Sequence, residues 1–400
     1  MMSSTQQETI YLDHCATTPV NPLVLHRMIP YFTEYYGNAS SIYHRSGRKA
    51  AEAIELARNQ VAGLLQASSK EIIFTSGATE AINQALIGVY NHYQKIGKHI
   101  ITCQTEHPAV IDTCNYLQRQ GAEITMLAVD HLGRINLEDL EKSIRKDTIL
   151  ICLMFANNET GVLHPIEEIG TIAQQHNILF FCDATQAVGT VPVHVDQQKI
   201  DLLALSAHKI YGPKGVGALY IRRRSKPIQV GSLLHGGKQE NHLRAGTLNV
   251  TGIVGLGAAA ELINNRQQKE NTHLLKLRNY LEKTLLSSIP EIVINGTPHD
   301  RLPHVSNICF QYVKSSEIMA ALPQIELSAG SACASGSREP SHVLLAMGLT
   351  PEEAHSSIRF SLGDQNTEQQ MIHVAQQVIQ AVHKIRETSP VWQMHQAGII

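Results

Sequence analysis

Short apolar runs alternate with amphipathic segments over the first part of the chain. The apolar runs, rich in Ile, Val, Leu and Phe, are 71–75, 99–104, 123–129, 148–155, 178–183, 201–206 and 217–222. Segments with apolar residues at three- and four-residue spacing lie between several of them, as at 46–66, 79–95 and 166–176. This alternation predicts an α/β fold with a mostly parallel sheet covered by helices on both faces. In such sheets ligands bind at the carboxyl ends of the strands.

The pattern changes near Thr251, where strands no longer alternate with single helices. A long helical segment runs from about 253 to 286, and the strand candidates after it are 291–294, 305–312 and 357–362. We therefore predict a smaller α+β domain at the C-terminal side. The predicted parts are residues 1–20 as a segment that joins the small domain, 21–255 as the large domain, and 256–400 as the small domain.

The composition indicates a globular protein without a strong electrostatic field. Its 400 residues include 33 Lys and Arg against 35 Asp and Glu, so we expect neither nucleic acid nor an anionic membrane as a partner. No apolar run approaches the roughly 18 residues of a membrane span, and the start MMSSTQQETI lacks the features of a secretory signal. The seven cysteines form no CxxC pair and the 21 histidines no HExxH motif. We therefore expect the reducing cytoplasm and no metal site.

A lysine follows the apolar run 201–206 in the sequence SAHKIYGPKG. Gly212, Pro213 and Gly215 come soon after Lys209, which predicts a tight turn beside the cleft. A lysine that acts as a Schiff-base nucleophile needs a partly desolvated site that favours its neutral amine. Taken alone, Lys209 would more often be a solvated residue of a surface loop.

Three other strand ends carry groups that complement this lysine. Asp183 ends the run 178–183, where its carboxylate can pair with a pyridinium nitrogen or, alternatively, cap the next helix. In TSGATE, a strand leads through Gly77 into a helix whose first N–H groups, with the Thr79 hydroxyl, suit a phosphate. His107 places a titratable ring at the same edge. Each signal is weak alone, but together they make a joint case for a pyridoxal-phosphate site.

One cysteine differs in its surroundings from the other six. Cys333 lies in SAGSACASGS, flanked only by Gly, Ala and Ser, a composition that cannot fill a core and favours a mobile loop. An exposed thiol in such a loop can enter a cleft and act as a nucleophile. Without the cofactor site, an incidental surface cysteine would be the simpler interpretation.

In combination these motifs resemble those of the cysteine desulfurases, in the class V aminotransferase group of fold-type I pyridoxal-phosphate enzymes. The resemblance extends from the start motif YLDHCATTP to SPVWQM near the end. SAHKIYGPKG is similar to the family's cofactor-lysine motif, and the long SAGSACASGS segment to group I, the housekeeping and nitrogen-fixation branch. The resemblance implies a homodimer that converts L-cysteine to L-alanine. The sulfur would pass through a Cys333 persulfide to acceptors for iron–sulfur cluster assembly or tRNA thiolation.

The resemblance also implies a role for each site residue. Lys209 would bind the cofactor covalently, Asp183 would pair with its ring nitrogen, and His107 would lie over the ring face. The other implied cofactor contacts are Gln186 at the phenolic oxygen, Ala78 and Asn158 in the pocket, Thr79, Ser206 and His208 at the phosphate, and Thr247 at the phosphate of the neighbouring subunit. Arg359 would bind the substrate carboxylate, in a pocket also lined by Asn38 and Asn158.

Two features depart from the family pattern. The start motif has His14 and Cys15 where the family more often has Tyr or Asn and then Ser or Asn, which would place a second thiol near the site. The sequence ends at Ile400, whereas housekeeping members often continue with a tail that helps to dock an iron–sulfur scaffold protein. The physiological acceptor is therefore left open.

Three alternative functions stay open at this point. A selenocysteine lyase would share the site, and comparing turnover of the two amino acids would separate it from a desulfurase. A related class V aminotransferase would need a 2-oxo acid acceptor and no mobile thiol, so SAGSACASGS counts against it. A non-catalytic sulfur-transfer partner with the same fold would carry no bound cofactor.

Overall fold

The computed structural model describes residues 9–223, 227–264, 267–330 and 339–399. The strands in this part of the chain are β1 (Ile10–Tyr11), β2 (Ile72–Thr75), β3 (His99–Cys103), β4 (Glu123–Leu127), β5 (Thr148–Met154), β6 (Leu179–Asp183), β7 (Leu202–Ser206), β8 (Gly217–Ile221), β9 (Ile292–Asn295), β10 (Val305–Phe310), β11 (Ile325–Glu326) and β12 (Ser357–Ser361). Each apolar run predicted as a strand forms one.

The helices cover the sheets and connect most of the strands. They are α1 (Pro22–Met28), α2 (Pro30–Thr33), α3 (Arg45–Leu65), α4 (Ala78–Tyr93), α5 (Pro108–Arg119), α6 (Leu137–Lys142), α7 (Ile166–Gln175), α8 (Val250–Asn264), α9 (Gln267–Ser288), α10 (Ser315–Ala321), α11 (His342–Ala346), α12 (Pro351–His355), α13 (Glu368–Glu387) and α14 (Pro390–Gln396). The long helical segment predicted at 253–286 is described as α8 and α9, and residues 265–266 between them lie outside the described residues.

The central sheet has the strand order β2-β8-β7-β6-β5-β3-β4. β8 is antiparallel to β2 and β7, and the pairs among β3 to β7 are parallel. Strands β5 and β7 are buried along their whole length, which explains why they read as continuous apolar runs rather than alternating ones. The predicted α/β fold, with a mostly parallel mixed sheet, is confirmed.

A second, smaller unit contains the three-stranded antiparallel sheet β12-β10-β9. Its core includes Leu281, Phe310, Phe360 and Val378, so α9 and α13 pack on this sheet. β1 pairs in parallel with β11, which attaches the N-terminal segment to this unit. Leu256 and the alanines of α8 instead pack in the core of the large sheet. The domain limits at 20 and 255 stay a prediction.

One core histidine makes the stability of the fold depend on pH. His164 is 4% exposed, and neither of its ring nitrogens has a hydrogen-bond partner among the described residues. Burial lowers the pKa of His164 to about 4, whereas the unfolded chain titrates near the ordinary value of about 6.5. Between these values the unfolded state binds the proton more readily, so the stability contribution is present above pH 6.5 and is lost as pH falls towards 4.

From pH 7 to pH 5 the wild-type protein should lose about 2 kcal/mol more unfolding free energy than His164→Phe. Phenylalanine removes the titrating group and breaks no hydrogen bond. Urea unfolding of both proteins at the two pH values measures the difference. The exposed His131 supplies the control, because His131→Phe should leave the pH dependence unchanged. An unchanged pH dependence in His164→Phe would contradict the expectation.

Candidate active site

A cavity of about 500 Å³ opens at the carboxyl ends of the central strands. The predicted site residues that line it are Ala78, Thr79, His107, Asn158, Asp183, Gln186, Ser206, His208, Lys209 and Arg359. All but Arg359 follow the ends of β2, β3, β5, β6 and β7 or terminate one of them. Parallel strands end at one edge of the sheet, which is why residues far apart in sequence meet there.

Lys209 lies on the wall of this cavity in a short 3₁₀ turn that begins directly after β7. The turn is tight at Gly212, where an added Cβ atom would lie 2.9 Å from the carbonyl oxygen of Ala207. The Lys209 Nζ atom donates to the carbonyl oxygen of Ala16 at 2.7 Å and also to that of Cys15. The lysine is therefore half-buried and bound by backbone, and the solvated-loop alternative is wrong.

Asp183 provides a buried carboxylate at the end of β6. Its side chain is 6% exposed, and its Oδ1 atom accepts a hydrogen bond from the backbone N–H of Thr185 at 3.0 Å. Turns follow at 185–190, so the alternative in which Asp183 caps a helix is wrong. A buried carboxylate with one backbone donor can hold a protonated ring nitrogen.

His107 caps α5 and faces the same cavity. Its Nδ1 atom accepts from the backbone N–H of Ala109 at 3.1 Å. Burial lowers the pKa of His107, as do the charges of Lys209 and His342, while Asp183 opposes them. The ring is therefore neutral near pH 7, and since Nδ1 is an acceptor, the proton is on Nε2.

The cavity wall also presents donors suited to a phosphate. α4, 16 residues long, begins after Gly77, where an added Cβ atom would lie 3.8 Å from the Ser206 hydroxyl oxygen. The His208 Nδ1 atom lies 3.1 Å from the Thr17 hydroxyl oxygen, and burial, with Lys209 and Lys214 nearby, lowers the pKa of His208 to about 4. A helix N-terminus beside hydroxyl groups and a lysine is a favourable anion site.

Arg359 enters the cavity from β12 of the smaller unit. Its side chain is 1% exposed and forms an ion pair with Asp13, with Nη2 2.6 Å from Oδ1. Its Nη1 atom donates to the carbonyl oxygen of Asn158 at 2.8 Å. Two residues of the site were not predicted from the sequence: Asp13, which pairs with Arg359, and Lys214, which lines the cavity. Asp13 lies in the motif YLDHCATTP and Lys214 in SAHKIYGPKG, so these two motifs were the available signal.

Three predicted site residues are not placed in the cavity. Asn38 and Thr247 are exposed in this single chain and do not line it. The Asn38 Oδ1 atom instead accepts from the backbone N–H of Ser40 at 2.9 Å. Cys333 lies outside the described residues. The roles of all three stay predictions.

The six described cysteines are buried, and one of them borders the cavity. Cys15 lines it with a side chain that is 2% exposed, and its Sγ atom lies 3.8 Å from His304 Nε2. Burial raises the pKa of the Cys15 thiol and also those of Cys103, Cys114 and Cys309. These thiols are poor nucleophiles at neutral pH, because the thiolate is the reactive form.

The described part of the chain contains no group of three or more His, Cys, Asp or Glu side chains arranged to hold a metal ion. Nor does any of its helices combine the length and the apolar character needed to cross a membrane.

The aminotransferase class-V family model matches residues 10–374. The cysteine desulfurase IscS of Anaeromyxobacter sp. (strain Fw109-5) is 48% identical over 390 residues, covering 98% of this chain and 96% of the relative. That of Proteus mirabilis (strain HI4320) is 47% identical over 392 residues with the same coverage. A solved NifS-like protein is 36% identical with a TM-score of 0.87, and covers 94% of this chain and 99% of its own. A structure described as SspA in complex with cysteine is 35% identical with a TM-score of 0.80, at 90% and 100% coverage.

The fold, the lysine and the carboxylate define a pyridoxal-phosphate enzyme of the aminotransferase class-V family, to which the chain belongs. Within that family, the two relatives named above, which match over nearly the full length, are cysteine desulfurases. The resemblance inferred from the sequence motifs is thereby confirmed.

Proposed function

We propose that the chain converts L-cysteine to L-alanine and transfers the sulfur to Cys333. One observation carries the proposal: Lys209, Asp183 and the buried Arg359 line a single cavity. An amine, a carboxylate for a ring nitrogen and a guanidinium for an α-carboxylate are the groups that amino-acid chemistry on pyridoxal phosphate requires. The cysteine desulfurases among the relatives favour cysteine as the amino acid.

The cavity residues fit the cofactor in their chemistry. Lys209 would bind it covalently, Asp183 would hold its ring nitrogen, and Gln186 would lie at its phenolic oxygen. Thr79, Ser206, His208 and the first turn of α4 would hold the phosphate. Bound pyridoxal phosphate supplies an electron sink for the α-carbon of the substrate.

The remaining steps belong to the chain's own side chains. Arg359 binds the substrate carboxylate, and the amine of Lys209 or the ring of His107 moves the α-proton. The Cys333 thiolate attacks the substrate sulfur, so an S–S bond forms while the carbon–sulfur bond breaks. The electron pair of the broken bond stays on the substrate carbon, which is then protonated. The products are L-alanine and a Cys333 persulfide.

A visible spectrum of the purified protein, recorded before and after addition of L-cysteine, tests this function. We expect a cofactor band that changes on addition, with alanine formed and, in the presence of a reducing thiol, sulfide released. A band without these products would keep the cofactor site but move the function to an aminotransferase or a partner-dependent enzyme. Parallel assays with L-selenocysteine separate a desulfurase from a selenocysteine lyase.

The chain also fits a homodimer. The exposed large apolar residues of the segment 23–43, between 46% and 94% exposed, are Leu23, Leu25, Ile29, Phe32, Tyr36, Ile42 and Tyr43. Several large apolar side chains exposed within one short segment favour association, and the resemblance assigns Thr247 to the neighbouring subunit's phosphate. Sedimentation equilibrium should give twice the 44.1 kDa chain mass, and Phe32→Asp should shift the equilibrium towards the monomer. A wild-type mass of 44.1 kDa would contradict the dimer.

The acceptors that fit a protein persulfide are thiol proteins of iron–sulfur cluster assembly or of tRNA thiolation. A reducing compartment such as the cytoplasm would keep the Cys333 thiol available for this exchange. Incubation with ³⁵S-labelled cysteine and each candidate acceptor tests the assignment. Label that stays on this chain in the presence of an acceptor would exclude that acceptor.

A further inference from the structure

The segment Asp13–Ala16 contacts both charged groups that the proposed reaction uses. Asp13 Oδ1 accepts from Arg359 Nη2 at 2.6 Å, and the carbonyl oxygens of Cys15 and Ala16 accept from Lys209 Nζ. The segment is held against β12, because the backbone N–H of Cys15 donates to the Ser361 hydroxyl oxygen at 3.0 Å. One short stretch of chain therefore occupies the substrate arginine and the cofactor lysine together.

The contact between Asp13 and Arg359 meets an electrostatic requirement of the fold. A guanidinium that is 1% exposed is costly to bury without a counter-charge, and Asp13 provides that charge. The arginine still has donor capacity, since its Nε atom has no hydrogen-bond partner in the described part of the chain. In this structure an approaching substrate carboxylate therefore meets a guanidinium whose charge Asp13 already neutralises.

Two carboxylates on one guanidinium repel each other at short range. Asp13 is the one that can leave, because its side chain is 19% exposed. It also lines a second cavity, together with Ser328 and Ser341, that Arg359 does not line. Arg359 itself faces the cavity. Arg359 thus lines one cavity and its partner Asp13 lines the other, so the ion pair connects the two.

We propose that Asp13 is a specificity-determining residue, a built-in carboxylate that occupies Arg359 until a substrate α-carboxylate displaces it. The inference rests on the proposed function, because it takes Arg359 as the substrate's carboxylate site. Its consequence is selectivity. A ligand gains access to Arg359 only when it carries a charge that can replace that of Asp13, so a thiol or amine without a carboxylate cannot take this position.

Propionate tests the competition without reacting, because it has a carboxylate but no amino group to join the cofactor. Thermal unfolding of the purified holoenzyme is measured as the propionate concentration rises, since a ligand that binds the folded state raises Tm. Asp13→Asn should lower Tm without propionate and should reach half of its stabilisation at a concentration about tenfold lower than wild type, as one charge-assisted hydrogen bond to Arg359 is released. Propionamide, which is uncharged, should stabilise neither protein.

The control variant is Asp196→Asn, which removes the carboxylate from an exposed ion pair with Arg222 and should leave the propionate response as in wild type. Arg359→Met should abolish that response. If Asp13→Asn does not fold, Asp13→Ser removes the same charge and replaces it in the experiment. Equal propionate responses in wild type and the Asp13 variant, or equal stabilisation by propionamide, would overturn the proposal.

Kinetics separate this inference from the proposed function. Competition predicts a lower KM for L-cysteine in Asp13→Asn, while loss of a merely structural residue would lower kcat and leave KM or raise it. A wild-type enzyme that desulfurates cysteine, together with an unchanged propionate response in the variant, would refute the role of Asp13 alone. If the wild-type enzyme does not desulfurate cysteine but the variant binds propionate more tightly, cysteine is refuted as the substrate and the role of Asp13 is retained.

Discussion

Lys209→Ala is expected to lose the covalently bound cofactor and to lower turnover of L-cysteine on the order of 10⁴-fold or more. The expectation follows from the position of the amine, which lies on the cavity wall at the end of β7 and is held by the carbonyl oxygens of Cys15 and Ala16. Alanine removes both the covalent anchor and a group that can move the α-proton. Absorbance of the purified variant and alanine formation measure the two losses.

Lys142→Ala serves as the control for this substitution. Lys142 lies at the end of α6 and is exposed, with only surface ion pairs to Glu138 and Asp139, which contribute little to stability. This control should keep the wild-type spectrum and rate. A Lys209→Ala protein that retains the wild-type cofactor band after dialysis would show that another amine holds the cofactor.

The strands could be predicted from sequence because burial on both faces leaves a continuous apolar run. β5 and β7 are the clear examples, with every residue buried. β1 and β11 could not be predicted in this way. Each has two residues, too short for any periodicity, and their pairing joins positions that are far apart in the sequence rather than depending on local sequence.

The cavity was predictable for a related reason. Asp183 ends β6 and Lys209 follows β7, so the rule that ligands bind at the carboxyl ends of parallel strands places them together without knowledge of the full fold. Asp13 is different, because its partner Arg359 is separated from it by 346 positions. No local pattern encodes that contact, which depends on how β1 and β12 are packed in the smaller unit.

The protonation states of the site residues also could not be predicted from the sequence. His107 and His208 are titratable in any conformation, but burial and the neighbouring lysine charge lower both pKa values. Only the folded arrangement shows that these rings are neutral near pH 7. Cys15 is a similar case. The start motif predicted a thiol near the site, but it did not predict the burial that raises the pKa of this thiol.

Cys333→Ser is expected to keep the cofactor spectrum and to lower sulfide release on the order of 10³-fold or more. A serine hydroxyl has a pKa far above that of a thiol and cannot form a persulfide. The variant therefore has no group that accepts the sulfur of the substrate when its carbon–sulfur bond breaks. The same variant should also lose rapid alkylation by a thiol reagent in the native state, because the six described thiols are buried.

Cys15→Ser is the matched control, since Cys15 is the described thiol that borders the cavity. Its backbone contacts to Lys209 and Ser361 do not involve the sulfur, and the Sγ atom is in contact with the neutral His304 ring. This control should therefore retain sulfide release and the rapidly alkylated thiol. If Cys15→Ser stopped sulfide release while Cys333→Ser did not, the persulfide would have to form on Cys15. That outcome requires a thiolate inside the cavity, against the direction in which burial moves the pKa of this group.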